Sequence, residues 1–239
     1  VYSRTLDGKS YNFEPSGGLI RGGLVMQDRE TDTYWEMMSN RAIAGKLSGK
    51  TLVELPIGSK MPWKDWVKRY PKTLVLSVYG AEDRPGDPYA NYFKAKKGYR
   101  GLVAKDKRLP TKESIYALQL GKRKIAVPHR SLVGGGVFVL GDGDALFLHR
   151  PKGASMFRST ASFRTSGKIE LKGSTYVHVP SGARFDGPSE TWKGARPGTQ
   201  APQRVAGFDT FWFGWSLTHP DTEVLGLGAK GKGVRRTWY

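Results

Sequence analysis

Two motifs of unlike composition each occur twice in this chain, at almost one spacing. Phe13-x-x-Ser16-Gly17 returns as Phe163-x-x-Ser166-Gly167, 150 residues on. Trp63-x-x-Trp66-x-x-x-x-Pro71-x-Thr73-x-Val75-Leu76 returns as Trp212-x-x-Trp215-x-x-x-x-Pro220-x-Thr222-x-Val224-Leu225, 149 residues on. Chance seldom keeps two intervals in step, so the simplest reading is an internal duplication, which constrains the architecture before any single motif is interpreted. The matched positions are mostly Phe, Trp, Val and Leu, the signature of a shared core. The polar positions have drifted: His178 stands where Asp28 does, Asp186 where Glu36 does, and Asp221 where Lys72 does. A symmetric site drawing on both copies would keep its polar set. Either the first copy carries a site alone or the repeat is structural.

Gly 31 and Pro 14 in 239 residues call for many turns and short strands. In the first copy, Leu19-Ile20 and Leu24-Val25-Met26 are separated by Gly22-Gly23. A turn over Asp28–Thr33 then leads to Tyr34-Trp35, which reads as a meander. Pro62 to Tyr70 is expected to be a short helix, with Trp63, Trp66 and Val67 on one face. Pro71 stops it, and Leu74 to Val78 is expected to be a buried strand. Ser114–Leu120 and Lys124–Val127 flank a hairpin turn at Gly121-Lys122-Arg123, and Gly141-Asp142-Gly143-Asp144 marks another between Val137–Leu140 and Ala145–Leu148. Tyr79–Arg100 and Asp186–Gly207 read as loops, and Phe211–Thr218 as the second Trp helix. The expected fold class is mainly β, with two related β-rich halves, each bearing a short Trp-containing helix. The expected divisions are 1–78 (first copy), 79–143 (a basic insertion with β-hairpins and no counterpart), 144–228 (second copy) and 229–239 (a basic tail), in one compact unit.

The net charge of +18 is unevenly spread. Residues 93–130 hold Lys94, Lys96, Lys97, Arg100, Lys105, Lys107, Arg108, Lys112, Lys122, Arg123, Lys124 and Arg130 against only Asp106 and Glu113, and the tail adds Lys230, Lys232, Arg235 and Arg236. A field of this kind attracts polyanions: an acidic protein, an anionic membrane surface or nucleic acid. A basic surface with no dedicated partner is the plainer alternative. Aromatics interleave with cations from Tyr92 to Arg100, which would suit stacking on single strands, yet no recognised nucleic-acid-reading motif accompanies them. Nucleic acid is the less favoured partner.

Zero cysteines exclude disulfides, thiolate metal sites and cysteine nucleophiles from these residues. His129, His149, His178 and His219 form no H-x-H, H-x-x-H or H-E-x-x-H pattern. No phosphate loop, EF-hand or nucleophile elbow is present. No cofactor is expected. The densest polar turn, Asp28-Arg29-Glu30-Thr31, is read first as a structural turn whose side chains bond their own backbone. If a metal-binding or enzymatic site lies between the halves, its candidates are Asp28, Arg29, Glu30, His178 and His219. No stretch approaches the roughly 18 apolar residues of a membrane span. The chain opens at Val1, consistent with either a removed leader or a trimmed start.

The run Leu24-Val25-Met26-Gln27-Asp28-Arg29-Glu30-Thr31-x-x-x-Trp35, then Ala42-Ile43-Ala44-Gly45-x-Leu47-x-Gly49-x-x-Leu52, then the first Trp motif, resembles a secreted prokaryotic family known as domain of unknown function 3179. Thr210 to Val224 resembles that family's closing motif. The resemblance implies an exported, extracytoplasmic protein and brings no established catalytic residues. Members commonly carry a Cys-Pro-x-Cys-like pair just before the point where this chain begins. It is absent here, as is the family's Asp-x-x-Thr-Gly turn in the second copy, where His178-Val179-Pro180-Ser181-Gly182 stands. The resulting expectation is a non-enzymatic accessory or binding subunit, periplasmic or secreted, docking through its basic surface on an acidic protein or anionic membrane surface.

Overall fold

Alternation along the apolar runs decides how the sheets stack. A strand buried on one face shows every second residue to solvent; Ile115-Tyr116-Ala117-Leu118 and Ala145-Leu146-Phe147-Leu148 do not, and all eight are buried. Each run therefore separates two cores. A computed structural model of the chain describes residues 1–77 and 89–227, and it is mainly β. In chain order the elements are β1 (Thr5–Leu6), β2 (Lys9–Ser10), β3 (Phe13–Ile20), β4 (Gly23–Asp28), β5 (Tyr34–Glu36), β6 (Arg41–Ala44), α1 (Trp63–Arg69), α2 (Ala90–Lys94), β7 (Ser114–Leu120), β8 (Arg123–Pro128), β9 (Gly136–Gly141), β10 (Asp144–His149), β11 (Ala161–Ser166), β12 (Ile169–Lys172), β13 (Thr175–His178), β14 (Arg184–Asp186), β15 (Thr191–Lys193), β16 (Gln203–Arg204), β17 (Phe208–Phe211), α3 (Trp212–Thr218) and β18 (Glu223–Val224).

Beside the small β1–β2 hairpin, these strands form four sheets, ordered β3-β4-β5-β6, β17-β7-β8-β18, β16-β11-β10-β9 and β12-β13-β14-β15. Ile115 and Ala117 of β7 face a core with Trp212, Phe213 and Trp215 of α3. Tyr116 and Leu118 face a second core shared with Leu146 and Leu148 of β10. Ala145 and Phe147 of β10 face a third, with Tyr176 and Phe185. The succession is thus α3, then the β7–β8 sheet, then the β9–β11 sheet, then the β12–β15 meander. The β3–β6 meander has its own small core around Trp35 and touches α3 on the helix's other side. There the Phe213 ring lies against Gly22 and Gly98. A Cβ at Gly22, whose φ is +80°, would come within 2.7 Å of that ring, and one at Gly98 within 2.5 Å, so both positions require glycine.

The Phe-x-x-Ser-Gly motifs do not take matching places, since Phe13 lies in β3 and pairs with Asp28 whereas Phe163 lies in β11 between Phe147 of β10 and Arg204 of β16; the two meanders agree only in their later strands. Pairings Gln27↔Tyr34, Trp35↔Ala42 and Glu36↔Arg41 in one meander match Val177↔Arg184, Phe185↔Trp192 and Asp186↔Thr191 in the other. Asn40 and Glu190 hold φ of +52° and +54° at the same offset. The first hairpin of each meander does not keep this register, since Ile20 pairs with Gly23 but Lys172 with Thr175. Both predicted hairpins form, with Leu120↔Arg123 and Gly141↔Asp144 closing two-residue turns.

Three expectations need correction. Tyr79–Arg100 is not all loop: α2 lies within its described part, held by Tyr92 and Phe93 rings packed on Phe211. Asp186–Gly207 contains β15 and β16. Leu74–Ser77 is neither strand nor buried; Leu74 is 94% and Leu76 89% exposed. Apolar runs look alike whether or not a sheet edge is at hand to receive them, and among the described residues none receives this one. Val78 and the basic tail, with Lys230, Lys232, Arg235 and Arg236, lie outside the described residues.

Candidate functional site

The polar candidates fall into separate places. Asp28, at the end of β4, is fully buried. Its Oδ1 accepts from the Thr31 backbone N–H and hydroxyl, both at 2.7 Å, and its Oδ2 accepts from the Trp35 indole at 2.9 Å. His178, at the end of β13, is 150 residues on and equally enclosed. Its Nδ1 meets the Ser181 hydroxyl at 2.7 Å, and its Nε2 meets Thr165 Oγ1 at 2.8 Å and the Ser166 carbonyl at 3.0 Å. In each turn the residue at i+3 supplies a hydroxyl to the side chain at i, and the backbone N–H at i+4 donates to the carbonyl at i. An acid with Thr in one turn and an imidazole with Ser in the other do one structural job.

Arg29 pairs with Glu14 at 2.7 Å, and Glu30 accepts from the backbone and side chain of Asn12. That acceptance, backbone first, holds the Glu30 carboxyl below its usual range. His219 is the C-cap of α3; its Nε2 lies 3.1 Å from the Met38 carbonyl, and burial holds its pKa below the usual imidazole value. Asp28, Glu30, His178 and His219 thus each have hydrogen-bond partners of their own and share none. Among the described residues, no group of three or more Asp, Glu or His is spaced to hold a metal ion.

His219 does line a cleft of about 750 Å³ between the β3–β6 meander and the β7–β8 hairpin, with Arg21, Arg41, Lys124 and Glu36. Glu36 is committed there, accepting from Arg21 at 3.0 Å and Ser39 at 2.7 Å.

A second polar centre carried no local sequence signal. Asp209 of β17 accepts from Arg150 Nη1 at 3.0 Å, from the Thr160 backbone N–H at 3.0 Å and from the Thr160 hydroxyl at 2.6 Å, and it lies 2.8 Å from His129 Nε2. Arg150 and Asp209 are both almost wholly enclosed. Burial pushes the Asp209 carboxyl up, but His129, Thr160 and Arg150 outweigh it and hold it below its usual range. His129 and Asp209 border a pocket of about 270 Å³ with Lys60, Ser114, Met156, Phe157 and Phe211. His129 and Arg150 stand 80 and 59 positions from Asp209, so no linear pattern could assemble them.

The predicted basic surface splits in two. Arg108 chelates Asp106 with two nitrogens and reaches the Thr222 carbonyl. Arg123 chelates Glu223, Arg130 pairs with Glu113, and Lys112 sits over the Tyr92 and Phe211 rings and bonds the Tyr92 carbonyl. Lys107 reaches the Ala104 carbonyl. These five are tied into the fold. Lys94, Lys96, Lys97, Arg100 and Lys105 are exposed and make no ion pair among the described residues. Lys122 sits exposed in the β7–β8 turn and Lys124 at the cleft.

Among the described residues, no helix is long and apolar enough to cross a membrane. Comparison with curated proteins and with solved structures gives no match. The model of the family DUF3179, described as a protein of unknown function, matches residues 1–222. The chain belongs to the DUF3179 family.

Proposed function

We propose that the protein is a non-enzymatic, extracytoplasmic accessory subunit that docks through its basic surface on an acidic protein partner. The observation that carries this reading is the division of its cations. Lys107, Arg108, Lys112, Arg123 and Arg130 are spent on carboxylates and carbonyls, whereas Lys94, Lys96, Lys97, Arg100 and Lys105 crowd twelve residues and make no ion pair among the described residues, the one carboxylate between 94 and 108, Asp106, being held by Arg108. Unpaired surface charge of one sign steers association and weakens as salt rises. An anionic membrane would serve the same charges. Single-stranded nucleic acid is less supported, because Tyr92 and Phe93 turn their rings onto Phe211, Phe157 and Lys112 rather than leaving them open for base stacking.

The test is binding of a labelled poly-glutamate peptide at rising salt, beside vesicles with and without anionic lipid. The expected result is peptide binding that falls steeply with salt and is lost in Lys94→Glu/Lys96→Glu/Lys97→Glu. Binding unaffected by that triple reversal would sink the reading.

The His129–Asp209 pocket favours a second reading, a site for a small anionic ligand with an apolar ring. Lys60 and the imidazole would meet its charge, and Phe157, Phe211 and Met156 its ring. Titration with benzoate, read by the shift of the His129 ring protons, tests it; no shift at millimolar ligand removes it.

A further inference from the structure

Helices α1 and α3 are the same device built twice and seated once. The indole N–H of Trp66 donates to Thr73 Oγ1 at 2.9 Å, and that of Trp215 to Thr222 Oγ1 at 2.8 Å. Tyr70 N–H closes on the Trp66 carbonyl and His219 N–H on the Trp215 carbonyl, both at 2.8 Å. The residues before the helices have ψ of 143° and 145°, and those after them have φ of −130° and −125°.

Their surroundings differ completely. Trp212 and Trp215 are fully buried, whereas α1 has no buried residue and Trp63 is 54% exposed. The seat of α3 comes from the insertion. Trp212 N–H donates to the Glu113 carbonyl and its indole to the Asp106 carbonyl. The chain beyond the helix adds to β8 as a parallel strand, with Thr222 Oγ1 on the Lys124 carbonyl and Leu225 N–H on the Ala126 carbonyl. The insertion occurs once in the sequence, so α1 has no second hairpin to receive it. Arg69 does reach the Ser189 carbonyl at 3.0 Å, fixing one side of α1 beside the β14–β15 turn. Its apolar side, with Val67 and the exposed Leu74-Val75-Leu76, is covered by no strand or helix among the described residues.

We infer that α1 and Leu74–Leu76 form a preshaped docking element that adds as a strand to an open β-sheet edge of a different protein, one bearing acidic groups beside that edge. The occupant is read from the sister element: Thr73 Oγ1 and the Leu76 N–H correspond to the two groups that bond β8. Main-chain pairing would supply affinity, and the Trp63, Val67 and Leu74 side chains specificity. Charge sets the partner's sign, since residues 63–76 carry Lys64, Lys68, Arg69 and Lys72 against Asp65 alone. A second copy fits badly. Its β8 edge is already filled by its own β18, and each chain carries +18. The inference rests on the acidic-partner reading and specifies where that partner sits.

A photo-crosslinking residue is placed in the full chain at Val67, at Val75 and, separately, at Lys97, in cells that make the protein, and adducts are mapped by mass spectrometry. The expected result is one partner crosslinked from 67 and 75, with the link on an edge strand flanked by Asp or Glu. Leu76→Pro, which removes the pairing N–H from an exposed site, should cut the adduct at least tenfold, and Leu74→Asp should do likewise. Both variants should melt like the parent. Adducts from Lys97 alone overturn the strand-addition inference while leaving the acidic-partner reading standing. Adducts from 67 and 75 to a second copy of the chain overturn it in favour of self-association. No adduct at any of the three positions overturns both.

Discussion

Trp215 and Thr222 are locked together inside the core. The indole donates to the hydroxyl at 2.8 Å, and the hydroxyl in turn donates to the Lys124 carbonyl at 3.0 Å. This short chain of bonds ties α3 to β8. Trp66 and Thr73 make the first bond, but among the described residues no carbonyl receives the second. Equal sequence therefore has unequal energetic weight. Trp215→Ala is expected to destabilise by about 3–5 kcal/mol, the range for emptying a large core site. Trp66→Ala, on a half-open helix, should cost about 1 kcal/mol or less. Urea denaturation of both variants checks this; equal losses would mean that α1 is seated as deeply as α3.

Replacing Thr222 isolates the hydroxyl from the packing. Thr222→Val keeps the shape but leaves the Trp215 N–H and the Lys124 carbonyl without their partner. A buried group so orphaned costs about 1–3 kcal/mol. Thr73→Val should cost less, about 1 kcal/mol or below, because water can reach this half-buried bond and replace it. The pair of differences, measured by the same unfolding curves, separates a buried relay from a half-buried one.

Much of this architecture was legible in the sequence, and the reasons are local. Gly121-Lys122-Arg123 and Gly141-Asp142-Gly143-Asp144 announce hairpin turns because glycine takes the positive φ a tight turn needs, and both hairpins formed there, each narrowed to two residues. The Trp helices were readable from Pro62, the i, i+3, i+4 spacing and the closing prolines. What failed was burial. Leu74-Val75-Leu76 and Val224-Leu225 carry the same pattern, yet only the second meets a sheet edge, and that edge is β8, far away along the chain. Asp209 was illegible for a related cause: Phe208-Asp209-Thr210 carries no pattern of its own, and only the fold brings His129, Arg150 and Thr160 onto it.

Asp209 should be among the costliest polar residues to remove. Arg150 is enclosed and directs one nitrogen at this carboxylate, so Asp209→Ala leaves a buried cation unpaired, a change worth about 3–5 kcal/mol. The folded-state pKa of Asp209 is depressed, so its contribution is complete above the unfolded value of about 3.9 and disappears as pH falls through the folded one. The Asp209→Ala variant should therefore lose most stability at neutral pH and least at the acid end. Melting temperatures from pH 3 to 7 for variant and parent test this, and a constant gap across that range would exclude the carboxylate charge as its source.

A milder acid sensitivity should begin earlier, at the histidines. Burial, the chief influence on both rings, lowers the pKa of His149 and His219 below 6.5. His149 also leaves its buried Nδ1 without a hydrogen-bond partner among the described residues. A proton there would gain only the attraction of Glu190, against burial and the repulsion of Arg158. Below about pH 6.5 the unfolded chain takes up protons that the folded chain refuses, so stability must fall with pH from that point down to the folded values. The slope belongs to these two rings: His149→Gln/His219→Gln is expected to flatten the stability profile between about pH 5 and 7 relative to the parent, whatever the substitutions cost in absolute terms. An unchanged slope in the double variant would place the titrating group elsewhere in the fold.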